Sequence, residues 1–124
     1  MEFTITLCVS SRIHGVKDIV NYIKVAPTRV SEATEDRDDC RVFWDLECSE
    51  GELFEEINSR AVAWAVRCAG LLLPIDDAAL TLWYVVQSNS EFAGLAFQSE
   101  QLRDLGECKV DLVISVYTQP EQAV

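Results

Sequence analysis

The stretch RVFWDLECSEGELFEEINSRAVAWAVRCAG, residues 41–70, changes its apolar period partway along, and that change decides the fold class. In its first eight residues Val42, Trp44, Leu46 and Cys48 alternate with Arg41, Phe43, Asp45 and Glu47. A period of two puts each set on its own face of a β-strand. From Ser49 the period lengthens. Ser49 and Glu52 have the S-x-x-E spacing of a capping box, and Leu53, Ile57, Ala61, Trp64 and Cys68 then fall on one helical stripe. Gly70 fits a C-terminal stop.

The same two periods recur on either side. Phe3, Ile5, Leu7 and Val9 alternate with Glu2, Thr4, Thr6 and Cys8, a half-buried strand. Gly15 opens a short helix in which Val16, Ile19, Val20 and Ile23 recur at helical spacing, and Ala26-Pro27 cannot continue it. LTLWYVVQ (80–87) and FAGLAF (92–97) flank a polar turn at 88–91 and read as a hairpin. Ser99 is placed to cap a last helix with Leu102 and Leu105 inward and Gly106 ending it. KVDLVISVY closes the chain as an alternating strand, and QPEQAV (119–124) reads as a tail. The expected order is β-α-β-α-β-β-α-β over a single domain, residues 1–118. One apolar face per strand implies a two-layer α+β fold, its sheet mixed or mostly antiparallel, with helices on one face. The gap between Pro27 and Arg41 is a long loop or holds a short extra strand.

At 124 residues, 49% hydrophobic and 25% charged, the composition is that of a globular domain. The net charge of −11 disfavours nucleic acid and anionic membranes as partners and favours basic ones. The N-terminal residues lack a basic start and alternate in polarity, which is not the pattern of a signal peptide, and a cytoplasmic location is expected. Five cysteines with no C-x-x-C pair are then expected as free thiols without structural zinc. Cys40 and Cys48 would lie roughly 26 Å apart on one strand at about 3.3 Å per residue, and a disulfide needs Cα atoms within about 7 Å.

The charge is not spread evenly. Residues 31–56 hold eleven of the twenty-one carboxylates and two of the ten basic residues, a net −9, while the other ninety-eight residues stand at −2. Glu50, Glu52, Glu55 and Glu56 fall at a helix start, where the dipole stabilises each by about 0.3–1 kcal/mol. That account does not reach Glu32, Glu35, Asp36, Asp38 and Asp39, nor Asp45 and Glu47. Either the loop is merely a solvated surface, or it is a binding surface.

No reaction can be read from the residues. His14 beside Arg12 precedes a helix, a usual place for a surface or capping histidine. There is no G-x-S-x-G and no glycine-rich phosphate loop. Counted as a calcium loop from Glu35, the sixth residue is Cys40 and the twelfth Leu46, where glycine and glutamate are required. No cofactor and no metal are expected, and the chain reads as a binding protein and not an enzyme.

Pro27-Thr28, Trp44-x-Leu46, Leu105-Gly106 and Tyr117, in this element order, resemble the bacterial family labelled domain of unknown function 4279. The resemblance implies a compact α+β fold and no established activity. Members often carry a glycine and basic residues between the Pro-Thr and the Trp, where this chain is glycine-free and acidic. In size and acidity the chain is also similar to cytoplasmic immunity proteins that neutralise bacterial toxins. The expected function is a protein-binding module that blocks a basic partner, such as a toxic nuclease, through Glu35, Asp36, Asp38, Asp39, Phe43, Asp45 and Glu47. The alternative is a small-molecule site between sheet and helices, lined by Trp44, Trp64, Trp83 and Tyr84.

Overall fold

In a computed structural model of the chain, which describes residues 2–47, 52–88 and 96–118, strand β1 (Glu2–Ser11) forms the centre of a five-stranded sheet. Helix α1 (Val16–Ile23), strand β2 (Arg29–Ser31), strand β3 (Cys40–Leu46), helix α2 (Phe54–Leu71), strand β4 (Ala79–Ser88), helix α3 (Ser99–Glu107) and strand β5 (Val110–Thr118) follow in chain order. Across the sheet the order is β2-β3-β1-β4-β5. β1 pairs antiparallel with β3 and β4, and β2 antiparallel with β3, whereas β5 runs parallel to β4. A parallel neighbour needs a crossover, and α3 lies in it. The fold is thus a two-layer α+β domain with a mixed sheet.

The alternation of β1 sends Ile5, Leu7 and Val9 to one face, where Val42 and Trp44 meet them from β3 and Leu80, Leu82, Tyr84 and Val86 from β4. Ile19 and Ile23 of α1, Ile57, Ala61, Ala65 and Cys68 of α2, and Leu105 of α3 close over that face in one cluster. Burial of this size is the main favourable term in folding. One polar network runs through the core. The Tyr84 hydroxyl donates to Asn58 Oδ1, and Asn58 Nδ2 donates to Gln101 Oε1 at 3.1 Å. Gln101 Oε1 also accepts the Gln98 amide at the start of α3. The network thus links β4, α2 and the cap of α3, and burial pushes the Tyr84 phenol well above its usual pKa. Tyr84→Phe should cost about 1–3 kcal/mol in equilibrium unfolding, because Asn58 keeps a buried carbonyl without its donor. An unchanged midpoint would show that the phenol does not close the network.

Several local expectations shift. α2 begins at Phe54, with Leu53 at its N-cap and no side-chain cap there, so it starts after the expected Ser49–Glu52 box; Ser49 lies outside the described residues. Arg60 Nη2 donates to both Glu52 oxygens at 2.8 Å, a charge-assisted pair. Leu53 is 64% exposed, and the buried stripe runs through Ile57, Ala61, Ala65 and Cys68, with Trp64 half-buried beside it. α3 is capped by Gln98 in a reciprocal box with Gln101, one residue before Ser99. Leu102 is exposed, only Leu105 is buried, and Gly106 lies inside the last turn.

The expected hairpin falls largely on residues 89–95, outside the described residues. Ala96 and Phe97 are not in a strand, and β4 lies between the antiparallel β1 and the parallel β5. β2 is the short extra strand that the gap after Pro27 allowed. The order of the described elements is therefore β-α-β-β-α-β-α-β. The tail at 119–124 also lies outside the described residues.

Candidate functional site

Helices cover one face of the sheet and leave the other open among the described residues. Register places Arg29, Phe43, Cys8, Thr81 and Asp111 in one row across the open face. The next row holds Asp45, Thr6, Trp83 and Val113. Polar side chains on this face satisfy one another. Thr6 Oγ1 donates to Asp45 Oδ1 at 2.7 Å, and Trp83 Nε1 donates to Ser115 Oγ at 2.9 Å. Phe43 faces outward as its alternation implies, but the Arg29 guanidinium stacks 4.4 Å from its ring centre and half-buries it.

At the β2–β3 edge lies the acidic loop, residues 32–39, and Arg37 shapes it. Thr34 and Arg37 close a turn through reciprocal backbone bonds. The Arg37 guanidinium then reaches Ser31 Oγ, the Glu32 carbonyl and the Asp39 carbonyl. Asp39 is held between Arg37 at 3.0 Å and Arg41 at 3.1 Å, with its side chain only 18% exposed. The hydrogen bond from Arg41 holds its carboxyl below the usual carboxylate range. Asp38 pairs with Arg12 at 3.4 Å. Glu32, Glu35 and Asp36 are exposed and make no ion pair among the described residues.

The seven residues expected to form one surface fall into two groups. Glu35, Asp36, Asp38 and Asp39 share the loop. Asp45 lies five residues along β3 from Cys40, roughly 17 Å at about 3.3 Å per residue, and Glu47 beyond it is exposed past the strand end. Phe43 lies between, under Arg29. The loop is also less negative in space than in sequence, because Arg12 comes to it from the β1–α1 turn.

Sequence reasoning missed the residue that holds that turn. Asp77 accepts from Ser11 Oγ at 2.7 Å, the Arg12 amide at 2.7 Å and the Ile13 amide at 3.1 Å. Ser11 Oγ in turn accepts the His14 amide, and Cys40 Sγ donates to the His14 carbonyl. The Ser11 hydroxyl thus sits between a carboxylate and a backbone amide, while His14 Nδ1 faces Asp18 at 3.6 Å, so no serine–histidine relay forms. The Ser11 hydroxyl and then the two amides hold the Asp77 carboxyl below its ordinary pKa. A folded value below the unfolded one stabilises above the ordinary carboxylate range, and the benefit fades as pH falls through the folded value. Asp77→Asn should therefore be less stable than wild type at neutral pH, with the gap closing in acid. A gap that stayed constant across that range would exclude the linkage.

The four aromatics expected around a pocket do not share one. Trp44 and Tyr84 are core residues, Trp64 packs edge-on against Trp44 at 6.4 Å, and Trp83 lies on the opposite face of the sheet. Cys8, Cys40, Cys68 and Cys108 are free thiols, and Cys48 lies outside the described residues. Burial pushes Cys8 and Cys40 upward and Cys68 up to about 11, so none of these three is a ready thiolate. Among the described residues no helix is long and apolar enough to cross a membrane.

Comparison with known protein families, with curated proteins and with solved structures finds no match to this chain. The resemblance noted above therefore rests on its short motifs, two of which lie in one hydrogen-bonded patch. The Thr28 amide donates to the Phe43 carbonyl, Thr28 Oγ1 accepts the Asp45 amide, and Trp44 Nε1 donates to the Val25 carbonyl at 2.9 Å. Pro-Thr and Trp-x-Leu together stitch the chain before β2 to β3, a structural role.

Proposed function

We propose that this chain is a protein-binding module whose acidic loop, residues 32–39, docks on a basic protein, with a bacterial toxin such as a nuclease as the partner class. The observation that carries this reading is the combination of free charge and fixed backbone. Glu32, Glu35 and Asp36 present carboxylates to solvent that no described residue pairs, while Arg37 ties the loop beneath them at four points. A loop already ordered loses little entropy on binding. A surface that binds nucleic-acid phosphates presents lysine and arginine, and carboxylates at fixed spacing can occupy it in their place. The net charge of −11 steers such a partner from a distance.

Asp38, Asp39 and Phe43 serve this surface less directly in this reading, because their own arginines already engage them. Asp45 and Glu47 lie at the far end of β3 and join only a contact broad enough to cover the open face. The reading also puts the chain in the cytoplasm, where an immunity protein meets its toxin. Co-expression with the basic product of an adjacent gene tests it. The pair should co-purify at low salt, separate as salt rises, and relieve that product's toxicity. A toxic neighbour left unbound and unrelieved would remove the immunity reading.

A further inference from the structure

The two edges of the sheet are built differently. β2 is three residues long, follows Pro27 closely and carries Arg29, three devices that discourage a further strand from pairing there. β5 is neither short nor close behind a proline. It runs nine residues, VDLVISVYT, with Asp111 as its one charge, and no described strand lies on its outer side. It is also apolar on both faces: Ile114 and Val116 share the helix-covered face, Val113 and Tyr117 the open face, each 42–56% exposed. A half-exposed apolar strand edge is a template for pairing.

We infer that β5 pairs antiparallel with β5 of a second copy, around a two-fold axis at Ser115, to give a continuous ten-stranded sheet. The sequence is self-complementary about that point. A two-fold axis perpendicular to the sheet keeps each side chain on its own face and sets Ile114 opposite Val116 of the other copy. It also sets Val113 opposite Tyr117, so all four exposed apolar residues meet one another. Centring the axis on Ile114 would place Asp111 opposite Tyr117, and centring it on Val113 would leave Tyr117 beyond the paired segment. Directly opposed apolar pairs are the unit of sheet stabilisation. The charge distribution agrees. The acidic loop sits at the β2–β3 edge, the far end of the strand order from β5, so the pairing keeps the two loops apart. The inference is independent of the proposed partner, and the dimer would carry two acidic loops at its outer ends.

Sedimentation equilibrium of the full chain should show a concentration-dependent dimer that tightens with salt, since both copies carry −11. Basic-partner binding should weaken with salt instead. Val116→Lys replaces a half-exposed residue and should leave the circular dichroism spectrum unchanged. Two copies of the change meet in one dimer, and a loss of about tenfold for each raises the dissociation constant about a hundredfold. Ser115→Cys places two thiols opposite each other at the axis, within the Cα separation of about 7 Å that a disulfide allows. Mild oxidation should link them, where wild-type chains stay unlinked. A wild-type chain monomeric at every concentration, or a dimer that survives Val116→Lys, would overturn the inference. A dimer lost in Val116→Lys but never cross-linked in the Ser115→Cys variant would overturn its register.

Discussion

Trp44→Ala should lower the free energy of unfolding by about 3–5 kcal/mol, much of what holds together a domain of this size. Trp44 is 2% exposed, packs edge-on against Trp64 and donates its indole N–H to the Val25 carbonyl. Truncation therefore opens a cavity between β3 and α2 and also frees the segment that carries Pro27 and Thr28. Trp64→Ala should cost less, because Trp64 is only half-buried. Trp44→Phe separates the two contributions: it keeps most of the apolar area but leaves the Val25 carbonyl without its donor, for about 1–3 kcal/mol. Denaturant unfolding of the three variants gives the ranking. A loss below about 1 kcal/mol in Trp44→Ala would contradict the place of this residue in the core.

Trp44 was legible because a strand period is strict. Once Val42 faces inward, Trp44 must follow and Phe43 must face out. The same rule gave β1 its faces, whereas Trp83 and Tyr84, expected to line one pocket, alternate to opposite faces of β4. Helix ends were less legible, since an end depends on competition. Glu52 has the spacing of a capping box, yet α2 starts two residues later, and the Glu52 carboxylate pairs with Arg60 of that helix. Leu102 fits a helical stripe, but α3 is nine residues long and meets the core at one position only.

The acidic loop was legible as charge and not as geometry. Nothing local says that Arg12 comes from another loop to meet Asp38, or that Asp77 fixes the turn that carries it. Asp77 lies sixty-five residues from the amide of Arg12 that it accepts. Ion pairs between distant loops leave no periodic signal. Asp45 and Glu47, neighbours of the loop in sequence, are carried away from it because a strand extends about 3.3 Å with each residue.

Reversing free charges on the loop should have the largest effect on function. Glu35→Lys with Asp36→Lys changes two exposed side chains outside the ion-pair network, so stability should change by under about 0.5 kcal/mol for each. Asp39→Lys is a poor substitute. It would strip Arg37 and Arg41 of their shared carboxylate, and any loss of binding would follow from a disordered loop. Steering of this kind raises association rates by about ten- to a thousandfold, and the double reversal should remove much of that gain.

The most direct measurement is the association rate of wild type and the Glu35→Lys, Asp36→Lys variant with the co-purifying basic partner, by stopped flow over a series of salt concentrations. The wild-type rate should fall steeply as salt rises, toward about 10⁵–10⁶ M⁻¹s⁻¹ once charge is screened. The variant should start much slower and change little with salt, converging on wild type at high salt. Equal rates with equal salt dependence for the two proteins would contradict the account, and the acidic loop would then be a solvated surface with the contact elsewhere on the molecule.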